Sequence, residues 1–175
     1  MDASKHWTGR GEGFQPPAGD DVRKLVEGPP LALLADKQQA WPTVTGKQAG
    51  YRFHCYRLDE LRRPTFLYDF GDIRIEDFFR GQGEGAERHL VRTVHFIAKE
   101  GAQSSANLYH RAAAQMSRIG SATKGEYRLE QNVALRIAKK RGDSSFVRES
   151  SGRHELVIPI VFEGGKAKLT ISYSW

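Results

Sequence analysis

Apolar residues recur at every second position through much of this chain. In Tyr51–Leu58 (YRFHCYRL), Tyr51, Phe53 and Cys55 fall on one side and Arg52, His54, Tyr56 and Leu58 on the other. That period of two is the mark of an extended strand. Thr65–Phe70 places Phe66, Tyr68 and Phe70 together, and the Gly71–Asp72 pair predicts a tight turn into a partner strand, Ile73–Phe78. His89–Ala98 alternates again, with Leu90, Val94 and Phe96 on one face; Arg92 falls on that same apolar face, an unusual position for a charge. Shorter strands are predicted at Pro29–Ala35, Leu108–Ala114, Glu126–Leu129, Val133–Ala138 and Phe146–Arg148. Glu155–Phe162, a Gly164–Gly165 turn and Lys166–Trp175 read as a second hairpin. Pro159 cannot donate to a ladder, so it is expected on an edge or at a bulge. Ala102–Ile119 is the one stretch with a rival helical reading, through its alanines and Met116.

Close-spaced strands joined by glycine turns predict an all-β fold, an antiparallel two-sheet β-sandwich with one wet and one buried face per sheet. Residues 1–28 are read as an irregular N-terminal arm, rich in glycine and proline, with only Trp7 and Phe14 as large apolar groups. Residues 29–175 are read as a single sandwich domain.

Composition narrows the function classes. The longest apolar runs, Leu156–Phe162 and Pro29–Ala35, are strand-sized, far short of the ~20 residues of a membrane-spanning helix. No apolar stretch of a secretory signal stands near Met1, so export is not encoded in the sequence as written. Cys55 is the only cysteine, which leaves no internal disulfide; inside a strand it is expected as a buried structural thiol. The net charge is +6 and the pI about 9.5. The basic clusters Arg57–Arg63 and Arg136–Arg141 carry no nucleic-acid recognition motif, so nucleic acid is not an expected partner and a solvated face is the expectation.

Candidate chemistry is thin. The glycine runs Gly9–Gly13 and Gly81–Gly85 lack the strand–loop–helix frame of a phosphate cradle and each holds a glutamate. His89 and His95 lie roughly 20 Å apart along one strand face, too far to share an ion, and no metal or other cofactor is expected. Asp69, Asp72, Glu76 and Asp77 crowd the first hairpin, where turn and solvent roles are expected. No Gly-x-Ser-x-Gly elbow occurs, and no residue is assigned a catalytic role. The best candidate ligand surface is a wet sheet face carrying Arg52, His54 and Tyr56, with Arg74 and Glu76 nearby, since such groups grip sugars or carboxylates by hydrogen bonds and stacking.

The stretch Gly50–Phe79 (GYRFHCYRLDELRRPTFLYDFGDIRIEDFF) resembles a recurring segment of large exported proteins of planctomycete-type bacteria. Those chains combine a sugar-dehydrogenase-like propeller, β-sandwich accessory modules and a c-type haem domain. The ending TISYSW resembles the closing strand of such a module, and the similarity extends over residues 5–175. The resemblance implies a periplasmic or cell-surface accessory module of a redox assembly, cytochrome c-associated; this chain departs from the family in having no haem-binding cysteine pair and no room for a propeller, and nothing catalytic from the family maps onto its residues. The expected function is non-catalytic binding of a saccharide or a neighbouring protein domain. The alternatives are a small carbohydrate-active enzyme using Arg52, His54 and Glu76, and a polyanion-binding module.

Overall fold

The computed structural model describes residues 28–102, 107–123, 125–138 and 144–175. Twelve strands lie among them: β1 (Leu31–Leu33), β2 (Tyr51–Leu58), β3 (Pro64–Phe70), β4 (Ile73–Gln82), β5 (His89–Ala98), β6 (Leu108–Gln115), β7 (Gly120–Thr123), β8 (Glu126–Arg128), β9 (Ala134–Ile137), β10 (Phe146–Ser150), β11 (Arg153–Pro159) and β12 (Lys166–Ser174). They form a four-stranded antiparallel sheet, β1-β6-β11-β10, and an eight-stranded one, β2-β3-β4-β5-β12-β9-β8-β7. The expected β-sandwich is therefore observed. The arm expected over residues 1–28 lies, except for Gly28, outside the described residues.

The inward residues follow the alternation. Ile73 and Ile75 of β4, Val94 and Phe96 of β5, and Leu169, Ile171 and Tyr173 of β12 pack against Leu31, Leu108, Ala112, Leu156 and Ile158 of the smaller sheet. Burying such side chains contributes about 1.5–3 kcal/mol each and holds the layers together. On the far side of the smaller sheet, Ala32, Leu34, Trp41 and Val157 make a second cluster. The Trp41 indole donates to the Pro29 carbonyl at 2.9 Å. Beside it Glu155 accepts from both Arg111 and Arg148, at 2.9 Å each. Arg148 also donates to the carbonyls of Lys37 and Gln39, pinning that loop to the sheet.

Three expectations are corrected. The Gly164–Gly165 turn exists, closed by a Glu163–Lys166 bridge, but β11 and β12 do not form a hairpin. They belong to different sheets, and β12 pairs with β5 and β9. Pro159 supplies a physical reason. The Ile160 N–H bonds Leu108 of β6, so the Pro159 nitrogen points to the opposite side, which β10 has already left. The ladder on that side ends and the chain is free to change sheets. Within Ala102–Ile119, of which 103–106 lie outside the described residues, the helical alternative gives way to strand β6 over Leu108–Gln115. Cys55 is exposed, not buried.

Candidate functional site

The β2–β3 hairpin owes its shape to two local devices. At its tip, Asp59 accepts from the backbone N–H groups of Leu61 at 3.0 Å and Arg63 at 2.8 Å, and from the Arg63 side chain at 2.7 Å. Arg62 takes a positive φ of 58° within this turn, and Pro64 starts the return strand. In mid-strand, the pairing slips between Phe53 and Cys55, so His54 is an extra, bulged residue. A bulge reverses the alternation beyond it.

That reversal decides which side chains share a face. Tyr51, Phe53 and Tyr56 pair with Phe70, Tyr68 and Phe66, which in turn pair with Ile73, Ile75 and Asp77. All of these lie on the inner face of the larger sheet. Cover from the smaller sheet is local: the Leu31 N–H of β1 donates to the Tyr51 hydroxyl at 2.8 Å. Further along the hairpin the rings emerge, with Phe53 62%, Tyr56 59% and Phe66 39% exposed. The Tyr56 and Phe66 ring centres are 6.5 Å apart at 58°. Leu58, opposite Pro64, continues this face toward the tip, where Leu61 is also exposed. β2 is an edge strand, so its outer backbone groups face no neighbouring strand among the described residues.

A buried polar cluster lies behind the shelf. Asp77 accepts from Arg92 Nε at 3.0 Å and Nη2 at 2.7 Å, and from the Tyr68 hydroxyl at 3.2 Å. The Arg92 guanidinium also stacks 5.0 Å from the centre of Phe79. Burial works against the Arg92 charge, but the Asp77 hydrogen bonds outweigh it and raise the guanidinium pKa. Burial also raises Tyr68, with the Asp77 charge adding to it. The charge on an apolar face noted in the sequence is thus a satisfied ion pair, and Asp77 has neither the turn nor the solvent role expected of it.

The outer face of the same strands holds the other charges. Asp69 accepts from Lys99 at 2.8 Å, contacts His54 Nε2 at 2.9 Å and lies 3.4 Å from Arg74. Burial raises its pKa, but hydrogen bonds from Lys99, His54 and Arg74 prevail and hold it down at about 2. Arg57 stands 3.6 Å from Glu76. Asp69, 7% exposed, is therefore the anchor of a charge cluster and no solvated turn residue.

The proposed residues thus divide. Arg52, Arg74 and Glu76 share the outer face by register, and His54 reaches it through Asp69. Tyr56 does not join them; the bulge sets it on the opposite, inner face with Phe53 and Phe66. Sequence reading missed Phe53 and Phe66 as surface groups. Their signal was aromatic residues beside an edge strand, which alternation alone assigns to a core. Among the described residues no group of three or more His, Cys, Asp or Glu side chains is placed to hold a metal ion. No helix among them is long and apolar enough to cross a membrane. No family model, curated protein or solved structure matches this chain.

Proposed function

We propose that this chain is a binding module and that the aromatic shelf of the β2–β3 hairpin takes a saccharide. The observation that carries the reading is the set of exposed rings, Phe53, Tyr56 and Phe66, side by side on one sheet face. Pyranose rings present apolar C–H faces that stack on such platforms, while hydroxyl groups need donors and acceptors close by. The Tyr56 hydroxyl and the backbone edge of β2, which no strand among the described residues covers, offer them. The outer-face residues Arg52, His54, Arg74 and Glu76 have a different use in this reading. Three of the groups there, His54, Arg74 and Lys99, already serve Asp69. Association with an exported, haem-containing redox assembly belongs to the same proposal and rests on the resemblance of Gly50–Phe79.

Titration of the full chain against a panel of neutral oligosaccharides tests this reading. At least one should bind saturably, and Tyr56→Ala should weaken it by about tenfold, the worth of one stacking ring. A panel without a saturable ligand, or one whose binding ignores Tyr56→Ala and Phe66→Ala, ends the saccharide reading. Exposed Leu58 and Leu61 beside the β2 edge favour a second occupant, a neighbouring protein domain.

A further inference from the structure

A concavity of about 480 Å³ opens on the outer face of the larger sheet, where β12, β9 and β8 meet the turn before β5. Its floor follows from the register. Arg128 pairs with Gly120 on one side and Ala134 on the other, and Ala134 pairs with Ser174. The row below runs Glu126, Arg136, Ser172. Small residues at Ala134, Ser172 and Ser174 leave the space, and long cationic side chains wall it.

The charges in the wall are unequal in their commitments. Arg136 donates to Glu126 through Nε at 2.8 Å and its Nη2 lies 2.5 Å from the same carboxylate oxygen, so that pair is internally neutral. Arg88 and Arg128 also line the cleft, and among the described residues neither has an ion-pair partner. Against them stands Glu87, whose backbone carbonyl lies 2.9 Å from His89 Nδ1. Two guanidinium groups against the Glu87 carboxylate, with two serine hydroxyls beneath, make a receptor for a compact anion. Planar guanidinium forks suit an oxyanion better than a point charge does.

We infer that this cleft binds an oxyanion: a sulfate, phosphate or carboxylate group held between Arg88 and Arg128 over Ser172 and Ser174. It is distinct from the shelf, on the opposite face of the sheet and toward its other edge, so either can fail without the other. The source of the group is a free inorganic ion or an acidic sugar, and the test separates them.

The full chain, isotopically labelled, is titrated with sulfate, phosphate, glucuronate and, as a neutral control, glucose, at constant ionic strength. The inference requires saturable amide shifts confined to 87–89, β8, β9 and β12 with at least one anion and none there with glucose. Preference for glucuronate over both inorganic ions assigns the group to an acidic sugar; the reverse assigns it to the free ion. Arg128→Gln should weaken binding by about tenfold, the loss of one charge-assisted contact. Glu87→Gln should tighten it, because an opposing carboxylate is removed. Both side chains are exposed, so neither change threatens the core. Shifts that never saturate, shifts scattered over all basic surfaces, or an affinity unmoved by Arg128→Gln would overturn the inference.

Discussion

His110 enters the core as a neutral ring. It lies on the inner face of β6 between Leu31 and Ile158, and neither ring nitrogen has a hydrogen-bond partner. Burial, with the Arg92 charge adding to it, depresses its pKa well below the ordinary 6.5. The unfolded chain therefore takes up a proton at His110 before the folded one does. Stability is full above the unfolded value and falls as pH drops below 6.5, by about 1.4 kcal/mol per pH unit until the folded ring itself titrates. Asp69 acts in a lower window: with a folded pKa of about 2 against 3.8, its contribution is present above pH 3.8 and lost as pH falls toward 2. Urea denaturation across this range should show the first loss begin near neutrality in the native chain and vanish in His110→Leu, while the second remains in both. A pH profile identical in the variant would contradict the assignment to His110. The ion pair behind the shelf gives another expectation. Asp77→Ala strands the Arg92 charge in the core and should cost about 3–5 kcal/mol, whereas replacing both by leucine should recover much of that loss. Neither role is legible from one residue. The two opposite charges are far apart in sequence, and only the β4–β5 pairing brings them together, although each stands at an inward parity among isoleucine, valine or phenylalanine.

Strands were legible because period two survives every tertiary arrangement; faces were not, because one inserted residue inverts everything after it. His54 is that residue. Without its bulge Cys55 would belong inside with Phe53, and Tyr56 would stand outside with Arg52. Tight turns have the same limitation. Gly71–Asp72 joins two strands of one sheet, and Gly164–Gly165 joins β12 to a segment that has left β11 for the other sheet, yet both look alike in sequence. A turn of a third kind carries Glu87, Arg88 and His89 to the anion cleft. It depends on Gly83, whose φ is +78° and where an added Cβ would stand 2.3 Å from the Glu87 carbonyl oxygen. That oxygen belongs to backbone and cannot rotate aside. Gly83→Ala should thus destabilise the chain by about 1–3 kcal/mol and shift the amides of 84–89, with the β2–β3 amides unchanged. A neutral effect on both stability and those shifts would mean that the turn is more compliant than its geometry indicates.

Across the whole molecule the layers are closed by the last strand in sequence. β12 lies between β5 and β9, so the eight-stranded sheet is two separate halves until residues 166–174 arrive. It also carries Leu169, Ile171 and Tyr173, all buried, into the space between the sheets. At about 1.5–3 kcal/mol per buried side chain, before counting the ladder bonds on both flanks, the strand contributes a sum comparable to the whole net stability of an ordinary domain, about 5–15 kcal/mol. Such dependence on pairings distant in sequence also makes folding slow relative to a helical chain of this size. A chain ended at Gly165 should then lack near-ultraviolet dichroism and a cooperative unfolding transition. A synthetic Lys166–Trp175 strand supplied to it should restore both in proportion to its concentration, since it fills a slot with partners on either side. A truncated chain that unfolds cooperatively by itself would show that β5 and β9 can close the sheet without β12, and the order of strands described above would then not be what holds the molecule together.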